Sequence, residues 1–259
     1  MPIQQQCTII SVERPNPFAY DMMIEAGEMG RIAYPGQFVH IRCGEGLLLR
    51  RPISICDAQW DEPDDIMRIV FEVRGEGTRW LSQRQAGDTL DVLGPLGHGF
   101  VPRGKNILLV GGGIGVPPLR GCARGYADGG ATVHAVLGFR DKDHMLLTRE
   151  FEEWCTTVSV TTDDGSFGVH GYVDGQVRAL LEQGTPVSDI LACGPKPMLK
   201  SVARVAEEFG IPCQVSLEER MGCGVGACLV CACDMKDGTR KHVCKDGPVF
   251  DAKEVDWNA

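Results

Sequence analysis

The spacing of apolar and polar positions changes character partway along the chain. Up to about residue 100, five short β-rich runs stand between clusters of Gly, Pro and Asp. They are Gln6-Cys-Thr-Ile-Ile-Ser-Val-Glu, Ala19-Tyr-Asp-Met-Met-Ile-Glu, Gln37-Phe-Val-His-Ile-Arg, Arg51-Pro-Ile-Ser-Ile-Cys and Ile66-Met-Arg-Ile-Val-Phe-Glu-Val. Such runs at this spacing predict an all-β unit, a barrel or a sandwich. After Pro102-Arg-Gly-Lys, apolar strands begin at Asn106, Val133, Val158, Asp189 and Cys213. Between them lie helical stretches, among them Pro118 to Tyr126, Met145 to Cys155, Gly175 to Leu181 and Pro197 to Phe209. Strand and helix in alternation predict a parallel, doubly wound sheet. The remaining stretch, from Glu218 to Ala259, is too short to bury a core of its own, so it must dock on the rest or be held by what it binds. The expected organisation is an antiparallel β-barrel over 1–101, a Rossmann-like α/β domain over 102–217 and a small terminal segment over 218–259.

Composition narrows the class. A net charge of −9 argues against nucleic acid or an anionic membrane as partner. No apolar run approaches the roughly 18–20 residues of a membrane span, and the N-terminal residues carry no basic, apolar leader pattern. The expectation is a soluble, cytoplasmic protein. Of the 12 cysteines, Cys7, Cys43, Cys56, Cys122, Cys155, Cys193, Cys213 and Cys233 show no paired spacing, which fits free thiols in a reducing compartment.

The other four carry the strongest chemical signal. Cys223, Cys228, Cys231 and Cys244 stand at C-x4-C-x2-C-x12-C, the order of plant-type [2Fe-2S] clusters, in which four thiolates hold two irons. Gly222, Gly224 and Gly226 between them let a loop wrap closely and turn N–H groups toward sulfur. Zinc is the competing metal, but structural zinc sites usually take two C-x2-C-like pairs rather than a glycine-laced triple. Cys233 is a substitute ligand or a buried spare thiol.

Three further motifs point to nucleotides. Val110-Gly-Gly-Gly-Ile-Gly-Val-Pro-Pro-Leu follows a strand and opens a helix, so Gly111, Gly112, Gly113 and Gly115 bring backbone N–H groups near a pyrophosphate. Pro117 and Pro118 stand where a stricter fingerprint has its later glycine, and proline suits the first helical turn. Cys193, in Ala192-Cys-Gly-Pro, ends a later strand where open α/β sheets bind ligands; it is the catalytic candidate, with a packed thiol as the plainer alternative. In the β half, Arg51-Pro-Ile-Ser places an arginine and a hydroxyl for a flavin, and Val73-Arg-Gly-Glu-Gly-Thr offers Gly77 with Thr78 as N-cap of a short helix. Each of these also has an ordinary reading as surface charge or turn.

Taken in order, these motifs resemble the ferredoxin reductase superfamily, a flavin-binding β-barrel followed by a nicotinamide-binding α/β domain. Gly94-Pro-Leu-Gly-His-Gly-Phe, Asp163-Asp-Gly-Ser and the terminal cysteine segment with Val243-Cys-Lys-Asp-Gly-Pro-Val-Phe narrow the resemblance to the electron transfer subunits of type B dihydroorotate dehydrogenases, over essentially the whole chain. The resemblance implies FAD, one [2Fe-2S] cluster and NAD(H), and an FMN-containing catalytic subunit as partner, in a heterotetramer of two chains of each kind. Electrons would run from dihydroorotate through the partner's FMN, the cluster and FAD to NAD⁺. Carried over, Arg51, Pro52, Ile53, Ser54, Val70, Phe71, Glu72, Gly77 and Thr78 contact FAD; Asp163 and Asp164 lie near the adenosine ribose of NAD; the four cysteines hold iron. Phe71-Glu72 departs from the expected Tyr-Arg and His98 from asparagine, so either backbone or Arg74 replaces the missing charge. The alternatives are a flavin and iron–sulfur subunit of a ferredoxin:NAD(P) oxidoreductase, hydrogenase or sulfide reductase, and a redox-sensing module without turnover.

Overall fold

The computed structural model describes residues 2–58 and 65–258. Six antiparallel strands, β1 (Ile3–Glu13), β2 (Ala19–Glu25), β3 (Phe38–Ile41), β4 (Arg51–Ala58), β5 (Ile66–Glu72) and β6 (Thr89–Leu96), close a barrel in the order β1-β2-β5-β4-β3-β6. Alternation explains its filling: Ile9, Met22, Ile24, Val39, Ile41, Ile53, Ile55, Met67, Ile69, Leu90 and Val92 all enter one core. The expected five strands are therefore joined by β6, whose pattern is interrupted by Gly94 and Pro95. Two short helices, α1 (Glu28–Arg31) and α2 (Glu76–Leu81), lie outside the strands.

The second half is a seven-stranded sheet of β7 (Asn106–Gly112), β8 (Thr132–Phe139), β9 (Thr157–Thr162), β10 (Val169–His170), β11 (Asp189–Cys193), β12 (Cys213–Ser216) and β15 (Val249–Asp251), ordered β10-β9-β8-β7-β11-β12-β15. Strands β7 to β12 are parallel, and β15 runs antiparallel on β12. Neighbouring residues of β7 serve opposite faces. Leu108 and Val110 join a core with α5 (Val173–Glu182) and α6 (Lys196–Glu208), while Ile107 and Leu109 join one with α3 (Pro117–Asp128) and α4 (Thr148–Trp154). Both faces being covered, these strands read as continuous apolar runs. β13 (Ala232–Asp234) and β14 (Arg240–His242) form a hairpin in the terminal segment. That segment buries Cys231, Cys233, Met235, Val243, Cys244, Phe250 and Val255 in the same core as Phe38 and Leu96 of the barrel, so it completes a core begun elsewhere.

Charge ties the barrel to the helices. Arg68 of β5 bonds Asp21 of β2 at 2.5 Å and Glu150 of α4 at 2.6 Å. Arg120 of α3 bonds Glu150 at 3.0 Å and pairs with Asp57 of β4, which also takes Arg124 at 2.7 Å. These groups are mostly buried, and each charge has an opposite partner, as a desolvated ion requires. Among the described residues no helix is long and apolar enough to cross a membrane. None of the 12 cysteines is in a disulfide.

Candidate functional site

Barrel and sheet face each other across a cleft of about 990 Å³. The size lies at the upper end for small-ligand sites, and extended dinucleotides need such room. On the barrel wall are Arg51, Pro52, Ile53 and Ser54 of β4, Val70, Phe71 and Glu72 of β5, and Arg74 with Thr78 beyond them. On the sheet wall are Gly112 at the end of β7 with Gly113 and Gly115 after it, Phe139 and Arg140 at the end of β8, Asp163 after β9, and Cys193 with Gly194 at the end of β11. Every sheet contribution comes from the carboxyl end of a parallel strand, where the connecting loops diverge and leave backbone groups unpaired.

The glycine turn is shaped by close approach. A Cβ on Gly115 would sit 2.6 Å from the carbonyl carbon of Cys193 and 2.7 Å from Cα of Gly194. Gly113 adopts φ +52°, the left-handed region that glycine enters without cost. The chain then makes a 3-10 turn, Gly113–Gly115, and enters α3 with proline in its first turn. Gly111 lies within β7, where a Cβ would meet Val116 and Leu119, and it is not on the cleft wall.

Thr78 is not an N-cap. Gly75 caps α2, and Thr78 is the third helical residue, its hydroxyl accepting the backbone N–H of Arg74 at 2.9 Å and of Gly75 at 3.2 Å. The hydroxyl reaches back over the helix start, as the side-chain arm of a capping box does. Gly77 also lies off the cleft wall; its missing Cβ leaves room for the Arg51 side chain. Arg74 bonds Glu72 at 3.1 Å, so the carboxylate that replaces the expected arginine is neutralised by its neighbour.

Asp163 donates its backbone N–H to Phe139 O at 3.0 Å and reaches the cleft. Its carboxyl pKa is raised, by burial first and then by Asp164. Asp164 turns away, accepting the Ser166 N–H at 2.9 Å, and is not on the wall. Burial pushes the Cys193 thiol up to about 12, with the Ser216 hydroxyl working the other way, so the sulfur keeps its proton at neutral pH. The wall also includes Met221 and Pro248 from the terminal cysteine motifs, and residues that no motif singled out: His144, Tyr172, Ser216, Glu218 and Glu219. Ser216 ends β12, so its position after an apolar strand was the available signal.

Next to this cleft the cysteine loop folds around its sulfurs. Cys223 Sγ accepts N–H bonds from Val225 at 3.4 Å and Ala227 at 3.2 Å, Cys228 Sγ from Cys223 at 3.4 Å, Cys244 Sγ from Gly226 at 3.2 Å and Cys231 Sγ from Cys244 at 3.5 Å. Gly224 (φ +74°) and Gly226 (φ +80°) supply the left-handed turns that aim these donors. Burial opposes the Cys223 thiolate, yet the N–H groups of Val225 and Ala227 bring its pKa down to about 6. Among the described residues, no three His, Cys, Asp or Glu side chains close around one point as a single-ion site requires. The backbone N–H of Cys223 bonds Cys228 Sγ and that of Cys244 bonds Cys231 Sγ, which associates the four cysteines as two neighbouring pairs. Cys233 belongs to β13 and gives its S–H to Lys241 O at 3.4 Å, apart from the loop.

Residues 218–256 match the family described as the iron–sulfur cluster binding domain of dihydroorotate dehydrogenase B, and residues 109–204 the oxidoreductase NAD-binding domain. The chain is 44% identical to the dihydroorotate dehydrogenase B (NAD(+)) electron transfer subunit of Geobacillus thermodenitrificans, over 97% of this chain and 98% of that one. It is 39% identical to the Streptococcus mutans protein of the same name, over 98% and 99%. Among solved structures, an NADH-dependent reduced ferredoxin-NADP oxidoreductase studied for electron bifurcation superposes with a TM-score of 0.88 at 35% identity, over 97% of this chain and 90% of that one. A ferredoxin NADP+ reductase from Neisseria gonorrhoeae (TM-score 0.64, 18% identity, 80% and 92% covered) shares the fold. Agreement over nearly the full length, including the barrel, the glycine turn and the four-cysteine segment, means that this chain belongs to the family of dihydroorotate dehydrogenase B electron transfer subunits.

Proposed function

We propose that the chain carries electrons between a dihydroorotate-oxidising, FMN-containing catalytic subunit and NAD⁺, with two chains of each kind in the complex. The observation that carries this reading is the convergence of both nucleotide motifs on one cleft, with Glu218, Glu219 and Met221 at the root of the cysteine loop forming part of its wall. FAD, when bound, supplies the exchange between one-electron and two-electron transfer that links an iron–sulfur cluster to nicotinamide. The residues present suit it: Ser54 offers a hydroxyl on the barrel wall, Arg51 offers positive charge, the Arg74–Glu72 pair removes the net negative charge of Glu72, and Phe71 packs the wall. Gly112, Gly113 and Gly115 offer backbone N–H groups to the nicotinamide nucleotide's phosphates, and Asp163 accepts a ribose hydroxyl. Cys193, a buried thiol on the cleft wall at the end of β11, would help to position a nicotinamide bound there rather than act as a nucleophile. Cys223, Cys228, Cys231 and Cys244 hold the [2Fe-2S] cluster through thiolates that the loop's N–H groups stabilise.

The partner site follows from exposure. Leu229 and Val230 stand 69% and 56% exposed between two of the cluster cysteines, and Val225 47%. Apolar side chains at that position suit a docked protein that excludes water from the cluster. The test is reconstitution: the isolated chain, loaded with FAD and cluster, should oxidise NADH with artificial dyes and show no dihydroorotate-dependent NAD⁺ reduction. Adding the FMN-containing dihydroorotate dehydrogenase subunit should restore that reaction. The likeness to the bifurcating oxidoreductase favours a second reading, a small subunit of a ferredoxin-linked complex. Recovery of such a partner from native purification, with no FMN dehydrogenase, would replace the first reading by the second.

A further inference from the structure

His40 lies in β3 between Val39 and Ile41, both of which fill the barrel core, so alternation turns its ring outward on the same side as Phe38. That outer side is covered by the terminal segment, because Phe38 shares a core with Cys231, Val243 and Cys244. The ring is fully buried at 0% exposure, yet neither Nδ1 nor Nε2 has a hydrogen-bond partner. Buried polar atoms are almost always paired, so two orphans on one ring call for a missing partner. The neighbour is the cysteine loop itself. A Cβ on Gly224 would come within 2.7 Å of His40 Nδ1 and Cε1, so the loop can press on the imidazole only because residue 224 is glycine. An imidazole carries at least one ring N–H in either protonation state, so a donor is available at this buried position.

We infer that His40 donates a ring N–H hydrogen bond to a sulfur of the iron–sulfur group held by the glycine-rich cysteine loop, and so raises that group's reduction potential from the barrel side. The inference rests on the assignment of Cys223, Cys228, Cys231 and Cys244 as its ligands. A hydrogen bond to a cluster sulfur stabilises the more negative, reduced form more than the oxidised one. Strand pairing adds a structural consequence: His40 stands opposite Pro52 in the β3–β4 ladder, and Pro52 lines the cleft. The residue thus sits between the two proposed cofactor sites.

The experiment uses the full chain loaded with cluster, with iron and labile sulfide measured first, and reads the midpoint potential by EPR-monitored titration. His40→Phe should lower it by about 59 mV or more, about tenfold in the equilibrium constant of a one-electron couple. His40→Gln keeps an N–H donor and should recover at least half of that loss. In wild-type protein labelled with 15N-histidine, pulsed EPR of the reduced cluster should show a weak histidine nitrogen coupling that His40→Gln loses, while any contribution from His242, two residues from Cys244, persists. This comparison decides the matter if His40→Phe does not load. A loaded His40→Phe protein with an unmoved potential, or a wild-type spectrum with no histidine coupling, overturns the inference and leaves the cysteine assignment intact. A chain that binds no iron and no sulfide overturns both.

Discussion

Replacing Gly115 by alanine isolates one steric contact on which the nucleotide turn depends. The residue's own backbone lies outside the left-handed region, so alanine meets no intrinsic penalty there. The difficulty is external: the new methyl would stand 2.6 and 2.7 Å from backbone atoms of Cys193 and Gly194, about 1 Å inside the usual 3.5–4.0 Å carbon contact. Neither neighbour is a flexible side chain. Cys193 is paired with Gly111 in the β7–β11 ladder, so the strand end cannot retreat without disturbing the sheet. The turn must move instead, at the roughly 1–3 kcal/mol typical of overpacking. At roughly 2–4 °C per kcal/mol for a chain of this size, the melting temperature should fall by about 2–12 °C. A displacement near 1 Å at a binding turn can cost up to about a hundredfold in rate, so kcat/KM for NADH with a dye acceptor should drop about ten- to hundredfold. Iron and sulfide content should stay at the wild-type level, since the cysteine loop lies elsewhere. A melting temperature and kcat/KM indistinguishable from wild type would refute the role given to this close approach.

Cys228→Ser should abolish the iron–sulfur absorbance while flavin stays bound, because the two sites draw on different segments; a normal cluster spectrum would remove Cys228 from the ligand set. With Asp163 on the cleft, NADH should be preferred to NADPH, and an exposed carboxylate worth about 1–2 kcal/mol against a 2′-phosphate gives roughly 5–30-fold in kcat/KM. Equal constants for the two nucleotides would count against that placement. Burial raises the Glu150 pKa, but Arg68 and Arg120 outweigh it and hold the carboxyl below its ordinary 4.5. Its folded value being the lower one, its contribution to stability is whole above about pH 4.5 and is lost as the pH falls through that lowered value. Glu150→Gln should therefore lower the melting temperature clearly at neutral pH and progressively less in acid, and a difference that is constant with pH would contradict the ion-pair account.

What was legible in the sequence was whatever a short stretch of chain settles by itself. The apolar runs of β7 and β11 are continuous because both faces of the sheet are covered, and the four-cysteine spacing carries its own chemistry. The sixth barrel strand was hidden because Gly94 and Pro95 break its alternation, although its outer residues only close a barrel whose other strands demand it. Thr78 carries the right residue type for a cap and takes the other arm of the capping box, a distinction of three residues that local chemistry does not resolve. The antiparallel edge strand β15 is a different case. Val249-Phe-Asp is too short to announce itself and becomes a strand only because β12 presents a free edge and Phe250 finds the core under it. His40 is the same kind of case at the level of function. Alternation in Phe38-Val-His-Ile states that the imidazole leaves the barrel, but what lies outside is set by a glycine 184 positions later in the chain. A polar residue on the outer face of a strand reads as solvated until something covers it; once Gly224 does, the same residue is a buried donor in need of an acceptor, and the only group proposed for that place is rich in sulfur acceptors.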